Sequence, residues 1–213
     1  MLNIQVFPVN MVEENTYVVS DDTHEAAIID CGALYAEERE AILEYVRSRQ
    51  LRVTCLLNTH GHFDHVLGCQ WASDTFGVGV EIHIDELENY QRSASDMVAF
   101  LRRGVPFDLP TPVRLLEGGD TVQVGEHEFR VISTPGHTPG GCCFYCAEEK
   151  VLFAGDSLFR ANIGRCDLPG GNLESLITSL RTRVLTLPDD VVVYSGHGEP
   201  TTIGYERVHN PYL

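Results

Sequence analysis

With 213 residues, 43% hydrophobic and 22% charged, the chain is long enough to bury one sizeable core and short for two, which excludes a disordered or low-complexity polymer. A formal net charge of −16 repels phosphate backbones over the whole surface and excludes nucleic acid as a partner. No segment approaches the roughly 18 consecutive apolar residues of a membrane helix, and MLNIQVFPVN has no basic stretch leading into an apolar one, so no membrane partner is expected and the expected location is the cytoplasm.

In chain order, NIQVFPV, NTYVVS and EAAIIDC read as strands, the last two joined by the polar turn DDTHE. AEEREAILEYVRSR places Ile42, Leu43 and Val46 at helical spacing, with its acids on a solvated face, and RVTCLLN returns to an extended apolar run. VLGCQWASDTF is a predicted helix, VEIHI a strand, and DELENYQRSASDMVAFLRR a long polar helix or helix pair. The GVPFDLPTP loop marks the midpoint, where the two halves are expected to meet. Strand-rich sequence follows in VRLL, DTVQV, HEFRVIS, GCCFYC and KVLFAG, then the helix NLESLITSLRTRVLTL and the strand DVVVYSG. This order predicts two sheets packed face to face with helices outside, a four-layer αββα sandwich forming a single domain over residues 1–213. No internal repeat or linker interrupts it.

Seven cysteines, an odd number at irregular spacing, read as buried free thiols. Cys143 and Cys146 have CxxC spacing, but GCCFYC reads as a strand, whereas a redox pair belongs at a helix start.

The chemistry concentrates in THGHFDH, where His60, His62, Asp64 and His65 follow a strand ending near Asn58. So dense a group of imidazoles is a poor arrangement unless a cation sits among them. A turn there fans the four side chains in different directions. His137 lies in STPGHTPGG, Asp156 in LFAGDSLF and His197 in VVVYSGHGEP, each just past an apolar run. A lone histidine in a turn is ordinarily a surface residue, but seven ligand-type side chains in the same strand-to-loop setting argue against chance. Five histidines and two aspartates suit zinc or another first-row metal, and seven exceed the four that one zinc takes, so two divalent ions are expected. His24, His83, His127 and His209 stay outside this scheme as surface or satisfied residues. Trp71 is read as packing, and Tyr205 as a candidate for the pocket wall.

HxHxDH, a histidine in TPGHTPG, an aspartate in FAGDSLF and a final histidine in SGHG together resemble the metallo-β-lactamase superfamily over nearly the whole chain, IIDCG before the first helix included. The resemblance implies the αββα fold and a split in which His60, His62 and His137 hold one ion, Asp64, His65 and His197 the other, and Asp156 bridges them. True metallo-β-lactamases generally lack such a bridging aspartate and most are exported. Diiron flavoproteins carry glutamate at the place of His62, and RNA-processing members carry extra domains and basic surface.

GDSLFRANIGRCDLPGGN resembles the short bacterial form of glyoxalase II, which hydrolyses S-2-hydroxyacylglutathione. Longer enzymes of that kind add a C-terminal helical domain that contributes to the glutathione site; here only residues 198–213 follow His197. By this resemblance Arg165 stands where a basic residue contacts the substrate carboxylate, Arg160 is a second basic candidate, and Asp167 replaces a tyrosine contact. The glycines and Pro169 of the stretch are expected to shape the loop rather than touch ligand. The expected reaction is attack on a small-molecule thioester by a hydroxide held between two ions, zinc or alternatively iron or manganese, with Asp64 orienting the nucleophile. The alternative within the same superfamily is a persulfide dioxygenase with one iron; a noncatalytic metal-binding module is the third reading.

Overall fold

The computed structural model describes residues 1–102 and 107–213. The first sheet has the order β1 (Asn3–Val9), β2 (Glu14–Ser20), β3 (Glu25–Ile29), β4 (Arg52–Asn58), β5 (Val80–His83), β6 (Arg114–Leu116). β1, β2 and β3 pair antiparallel, and β3 through β6 pair parallel. A parallel neighbour requires a crossover, and α1 (Ala36–Ser48) supplies it between β3 and β4.

The second sheet contains β7 (Thr121–Val124), β8 (His127–Ser133), β9 (Cys142–Cys146), β10 (Val151–Gly155), β13 (Val192–Ser195) and β14 (Thr201–Thr202), in the order β14-β13-β10-β9-β8-β7. A separate hairpin, β11 (Leu158–Phe159) and β12 (Asn162–Ile163), projects after β10.

Three buried layers of side chains make the sandwich. Tyr17, Val19, Ile29, Leu57, Phe129, Phe144 and Phe153 fill the space between the sheets. Val18, Ile28, Leu56 and Ile82, which alternate with them along the strands, face outward onto Ile42 and Val46 of α1. On the far side Leu152, Ala154 and Val193 meet Leu176, Leu180 and Ile203 from α5 (Leu173–Ser179), the π turn after it (Leu180–Val184) and α6 (Ile203–His209). Strands buried on both faces explain the near-continuous apolar runs of β9 and β10. The four-layer αββα expectation therefore holds.

Local differences have clear causes. The expected helix over VLGCQWASDTF begins only at Cys69, as α3 (Cys69–Phe76), and a separate turn of helix, α2 (Phe63–Val66), forms before Leu67 and Gly68 where a turn was expected. The polar segment after β5 is a 3-10 turn (Ile84–Glu86) running into one helix, α4 (Leu87–Leu101). β14 and α6 fall in the closing segment, whose polar turn-like sequence hides them. Part of the GVPFDLPTP loop, and Arg103 before it, lies outside the described residues.

All seven cysteines are free. Cys143 joins the helix-facing layer and Cys146 the inter-sheet layer, as residues three apart on a strand must, so they cannot form a redox pair. Among the described residues no helix is long and apolar enough to cross a membrane.

Candidate metal centre

Strand ends from both sheets converge at one rim. Asn15 at the start of β2 donates from its backbone to Gly196 O at 2.8 Å and from its side chain to Ser195 O and Gly198 O, and Tyr17 Oη donates to Ser195 O at 2.6 Å. Cys142 N donates to Thr59 O at 3.0 Å. These ties bring the SGHG loop after β13 against β2 and the start of β9 against the residue that follows β4.

His60 follows β4 directly, His62 is the cap residue of α2, and Asp64 and His65 lie within that single helical turn. The expected fan of side chains is thus made by a short helix. His137, Asp156 and His197 come from the loops after β8, β10 and β13. His60 Nε2 and His137 Nε2 lie 3.1 and 2.9 Å from His62 Nδ1. His197 Nε2 and His65 Nε2 lie 3.2 and 3.7 Å from Asp64 Oδ2. Asp156 stands between the groups, with Oδ1 3.4 Å from His65 Nε2 and Oδ2 3.5 Å from His137 Nε2 and 3.8 Å from His197 Nε2. All seven residues named from the sequence therefore meet in one place.

Partners on the far ring atoms orient the imidazoles. His137 Nδ1 donates to Arg165 O at 2.7 Å, leaving Nε2 free to ligate. Asp30, at the end of β3 with φ +52°, accepts from Thr59 N at 2.7 Å, Thr59 Oγ1 at 2.6 Å and His65 Nδ1 at 3.1 Å. Thr59 Oγ1 in turn meets His60 Nδ1 at 3.1 Å. Asp30, His60 and His65 also cluster tightly enough to hold an ion, but those bonds already occupy the Asp30 oxygens, so Asp30 acts as an orienting carboxylate. Behind His65 lies Glu14, wholly buried, its Oε1 3.7 Å from His65 Nδ1.

Charge follows this geometry. Burial, then the nearby His65 and His62 imidazoles, push His60 well below the ordinary histidine range, and burial and His137 take His62 down to about 4. Burial alone would lower His65 too, but the Asp156, Asp64 and Asp30 carboxylates outweigh it and hold His65 well above that range. Burial works against ionised Asp156, yet His65 above all keeps its carboxyl well below the usual range. His60 and His62 thus present neutral lone pairs, while His65 is the imidazole disposed to hold a proton, beside Asp64 and Asp156.

A model of the metallo-β-lactamase superfamily matches residues 10–197. The chain belongs to the metallo-β-lactamase superfamily. It is 37% identical over 214 residues to hydroxyacylglutathione hydrolase GloC of Haemophilus influenzae, covering 100% of this chain and 98% of that protein. Among solved structures it is similar to the BLEG-1 B3 metallo-β-lactamase (TM-score 0.89, 35% identity, 100% and 99% of the two chains covered). It is also similar to TTHA1623 in a di-iron-bound form (0.87, 35%, 98% and 100%). ETHE1 from Myxococcus xanthus is a further neighbour (0.79, 27%, 98% and 83%).

The residues of this superfamily member fit divalent cations on their own geometry. Ligands at about 2.05 Å around a tetrahedral zinc stand about 3.3 Å apart; His60 Nε2 and His137 Nε2, at 3.1 and 2.9 Å from His62 Nδ1, are close to that spacing. His65 Nε2 and Asp156 Oδ1 are buried without a hydrogen-bond partner. Unpaired buried polar atoms are costly, and a cation between them would satisfy both.

Over these groups lies a pocket of about 460 Å³ that includes His62, Asp64, His137, Asp156 and His197 in its lining. The rest of its lining is apolar Val12, Phe63, Ala99, Phe100, Leu168 and Pro169, with Arg92, Asp96 and Arg165. A larger, open groove of about 860 Å³ near His83, Arg130 and Arg183 holds none of the seven residues, so the smaller pocket is the candidate active site. Pro169, expected only to shape its loop, forms part of this wall. Arg165 also lines the pocket, with its guanidinium doubly bonded to Asp167 at 2.7 and 2.8 Å. Arg160 is not among the lining residues and sits 5.0 Å over the ring of Tyr205, which is likewise absent from the wall and packs on His209.

His127 is held between Asp21 and Glu149, and His83 by Ser133, as satisfied core residues. The closing segment has a bracing role that its sequence does not announce. Buried Glu206 of α6 accepts from Ala161 N at 3.0 Å and Asn210 Nδ2 at 2.8 Å, fixing the β11–β12 hairpin that leads to Arg165.

Proposed function

We propose that this chain is a binuclear metallohydrolase that cleaves small-molecule thioesters, of the hydroxyacylglutathione type, acting as a single domain over residues 1–213. The observation that carries the two-ion reading is Asp156, whose carboxylate lies 3.5 Å from His137 of the first group and 3.4 and 3.8 Å from His65 and His197 of the second. The thioester assignment rests on the GRCDLPGG stretch and on the likeness to GloC.

In this reading His60, His62 and His137 would hold one ion, Asp64, His65 and His197 the other, and Asp156 would serve both. Bound divalent ions, zinc with iron or manganese as alternatives, would supply a hydroxide nucleophile at neutral pH and Lewis acidity toward the substrate carbonyl. Asp64, on the pocket floor, accepts a hydrogen bond from the nucleophile and orients it. The apolar walls of Phe63, Phe100, Leu168 and Pro169 seat the substrate arms and exclude bulk water. A thiolate is a stable leaving anion, so expulsion of sulfur requires no strong general acid. No serine or cysteine nucleophile takes part.

Arg165 is the proposed contact for a carrier carboxylate, in competition with Asp167. Arg165→Ala is expected to raise KM for carboxylate-bearing thioesters about fivefold to tenfold with little change in kcat, as loss of an exposed charge contact of ~1 kcal/mol does. Asp167→Asn, which frees the guanidinium, should lower that KM. An unchanged KM in Arg165→Ala removes it from the binding site. Arg160, held on Tyr205, is retained as the more distant basic candidate and is expected to leave KM unchanged when replaced by alanine.

The function is tested by offering the purified protein thioester, lactone and β-lactam substrates and following released thiol and ring opening. Thiol release from S-2-hydroxyacylglutathione as the preferred reaction supports the proposal, and preferred β-lactam opening would replace it. Oxygen consumption with a persulfide by a one-iron protein would establish the dioxygenase alternative.

A further inference from the structure

The three histidines proposed for the first ion come from two different sheets, so something must hold their loops in register. We propose that Glu86, at the junction of the 3-10 turn and α4, is a positioning residue that ties the HGH and TPGG loops together and thereby sets the spacing of His60, His62 and His137. The inference rests on the metal reading of that triad.

Glu86 is completely buried. Its Oε2 accepts from Gly61 N at 2.8 Å, between His60 and His62, and its Oε1 accepts from Gly140 N at 2.7 Å, three residues after His137. Asn89 Nδ2 adds a longer bond of 3.4 Å to Oε2. An acid at the start of a helix ordinarily caps that helix, but the Glu86 side chain makes no cap bond to α4. Both of its oxygens are instead given to backbone donors on loops distant in sequence. Charge-assisted bonds of this kind are stronger than neutral ones and define direction, which suits a carboxylate for fixing two loops at once.

The glycines allow the approach. A Cβ on Gly61 would stand 2.5 Å from Tyr90 N, and one on Gly140 would stand 2.6 Å from the backbone of Asp85 and Glu86. The 3-10 turn therefore presses against the TPGG loop and the first turn of α4 against the HGH loop. The same helix carries Arg92, Ala99 and Phe100 to the pocket wall, so Glu86 also relates that wall to the triad.

The test is titration of zinc into chelator-treated protein, comparing wild type with Glu86→Gln. The glutamine keeps the shape but turns one acceptor into a donor facing a backbone N–H. The expected result is two equivalents in both proteins, one of them bound about tenfold to a hundredfold more weakly in the variant and the other unchanged. Two equivalents at wild-type affinity, or both weakened by the same factor as in general destabilisation, would overturn the proposal.

A second measurement needs no variant. In the metal-free wild type the Gly61 and Gly140 amides are expected to exchange slowly with deuterium and with closely similar protection, and exchange of either at the rate of an open loop overturns the tie. A wild type that takes up no zinc would overturn the metal reading on which the proposal rests, and the amide protection distinguishes that failure from failure of the tie.

Discussion

Asp156→Ala is expected to lose bound metal and to reduce thioester turnover at least about a thousandfold, roughly 4 kcal/mol in barrier, while remaining folded. The side chain belongs to none of the three apolar layers, so its removal leaves them intact. What it takes away is the carboxylate that faces the Nε2 atoms of His65, His137 and His197, together with a counter-charge that His65 uses in the metal-free protein. Neither group alone matches what the bridge provides, because the Asp64 contacts are to His65 and His197 and none is to the His60–His62–His137 group. Metal content, circular dichroism and initial rates on the same preparation make the check. Activity retained within about tenfold, ~1.4 kcal/mol, would mean that the two ions do not act through Asp156.

The second large effect is the pH dependence of the chelator-treated protein. Burial and neighbouring imidazoles keep His60 and His62 unprotonated in the fold to well below the ordinary range, His62 to about 4. The unfolded chain takes up the same protons near pH 6.5. Between about pH 6.5 and 4 it therefore binds more protons than the native state, and stability falls as pH falls. His62 by itself corresponds to on the order of 3 kcal/mol across that window.

Other groups act on the alkaline side. His65 and His197 stay raised against their burial, His65 through Asp156, Asp64 and Asp30 and His197 chiefly through its bond to Asp64. The stability they contribute is complete below about pH 6.5 and is lost as pH rises through their elevated values. Glu14, raised well above the ordinary carboxyl range by burial, also favours acid and so opposes His60 and His62 in the lower window, one group against two. A urea midpoint that is highest near pH 6.5 and falls on both sides is expected, with the acid limb flattened in His62→Gln. An acid limb unchanged by that substitution would contradict the assignment.

The fold was legible wherever a strand is buried on both faces, because GCCFYC and KVLFAG can be little else. The seven candidate ligands were legible because His60, His62, His137, Asp156 and His197 each stand beside a glycine, and Asp64 and His65 complete the dense HGHFDH cluster. The buried carboxylates were not. Glu14, Asp30, Glu86 and Glu206 are all buried, yet in sequence they read as ordinary surface acids. Their partners include backbone N–H groups and ring nitrogens far along the chain, as Gly140 is from Glu86, and no local spacing reveals such a pairing. The apolar wall was missed for a related reason: α4 reads as a polar helix, and only its packing turns Phe100 and Arg92 toward the pocket. Asp167 shows the reverse case. Its departure from the tyrosine of glyoxalase II was visible in sequence, but its grip on Arg165 needed three dimensions.

The most direct measurement is to add zinc stepwise to the chelator-treated enzyme while following hydrolysis of S-2-hydroxyacylglutathione. The rate is expected to climb until two equivalents are bound per chain and then to level off. A rate complete at one equivalent, or no thioester cleavage at two, would contradict it.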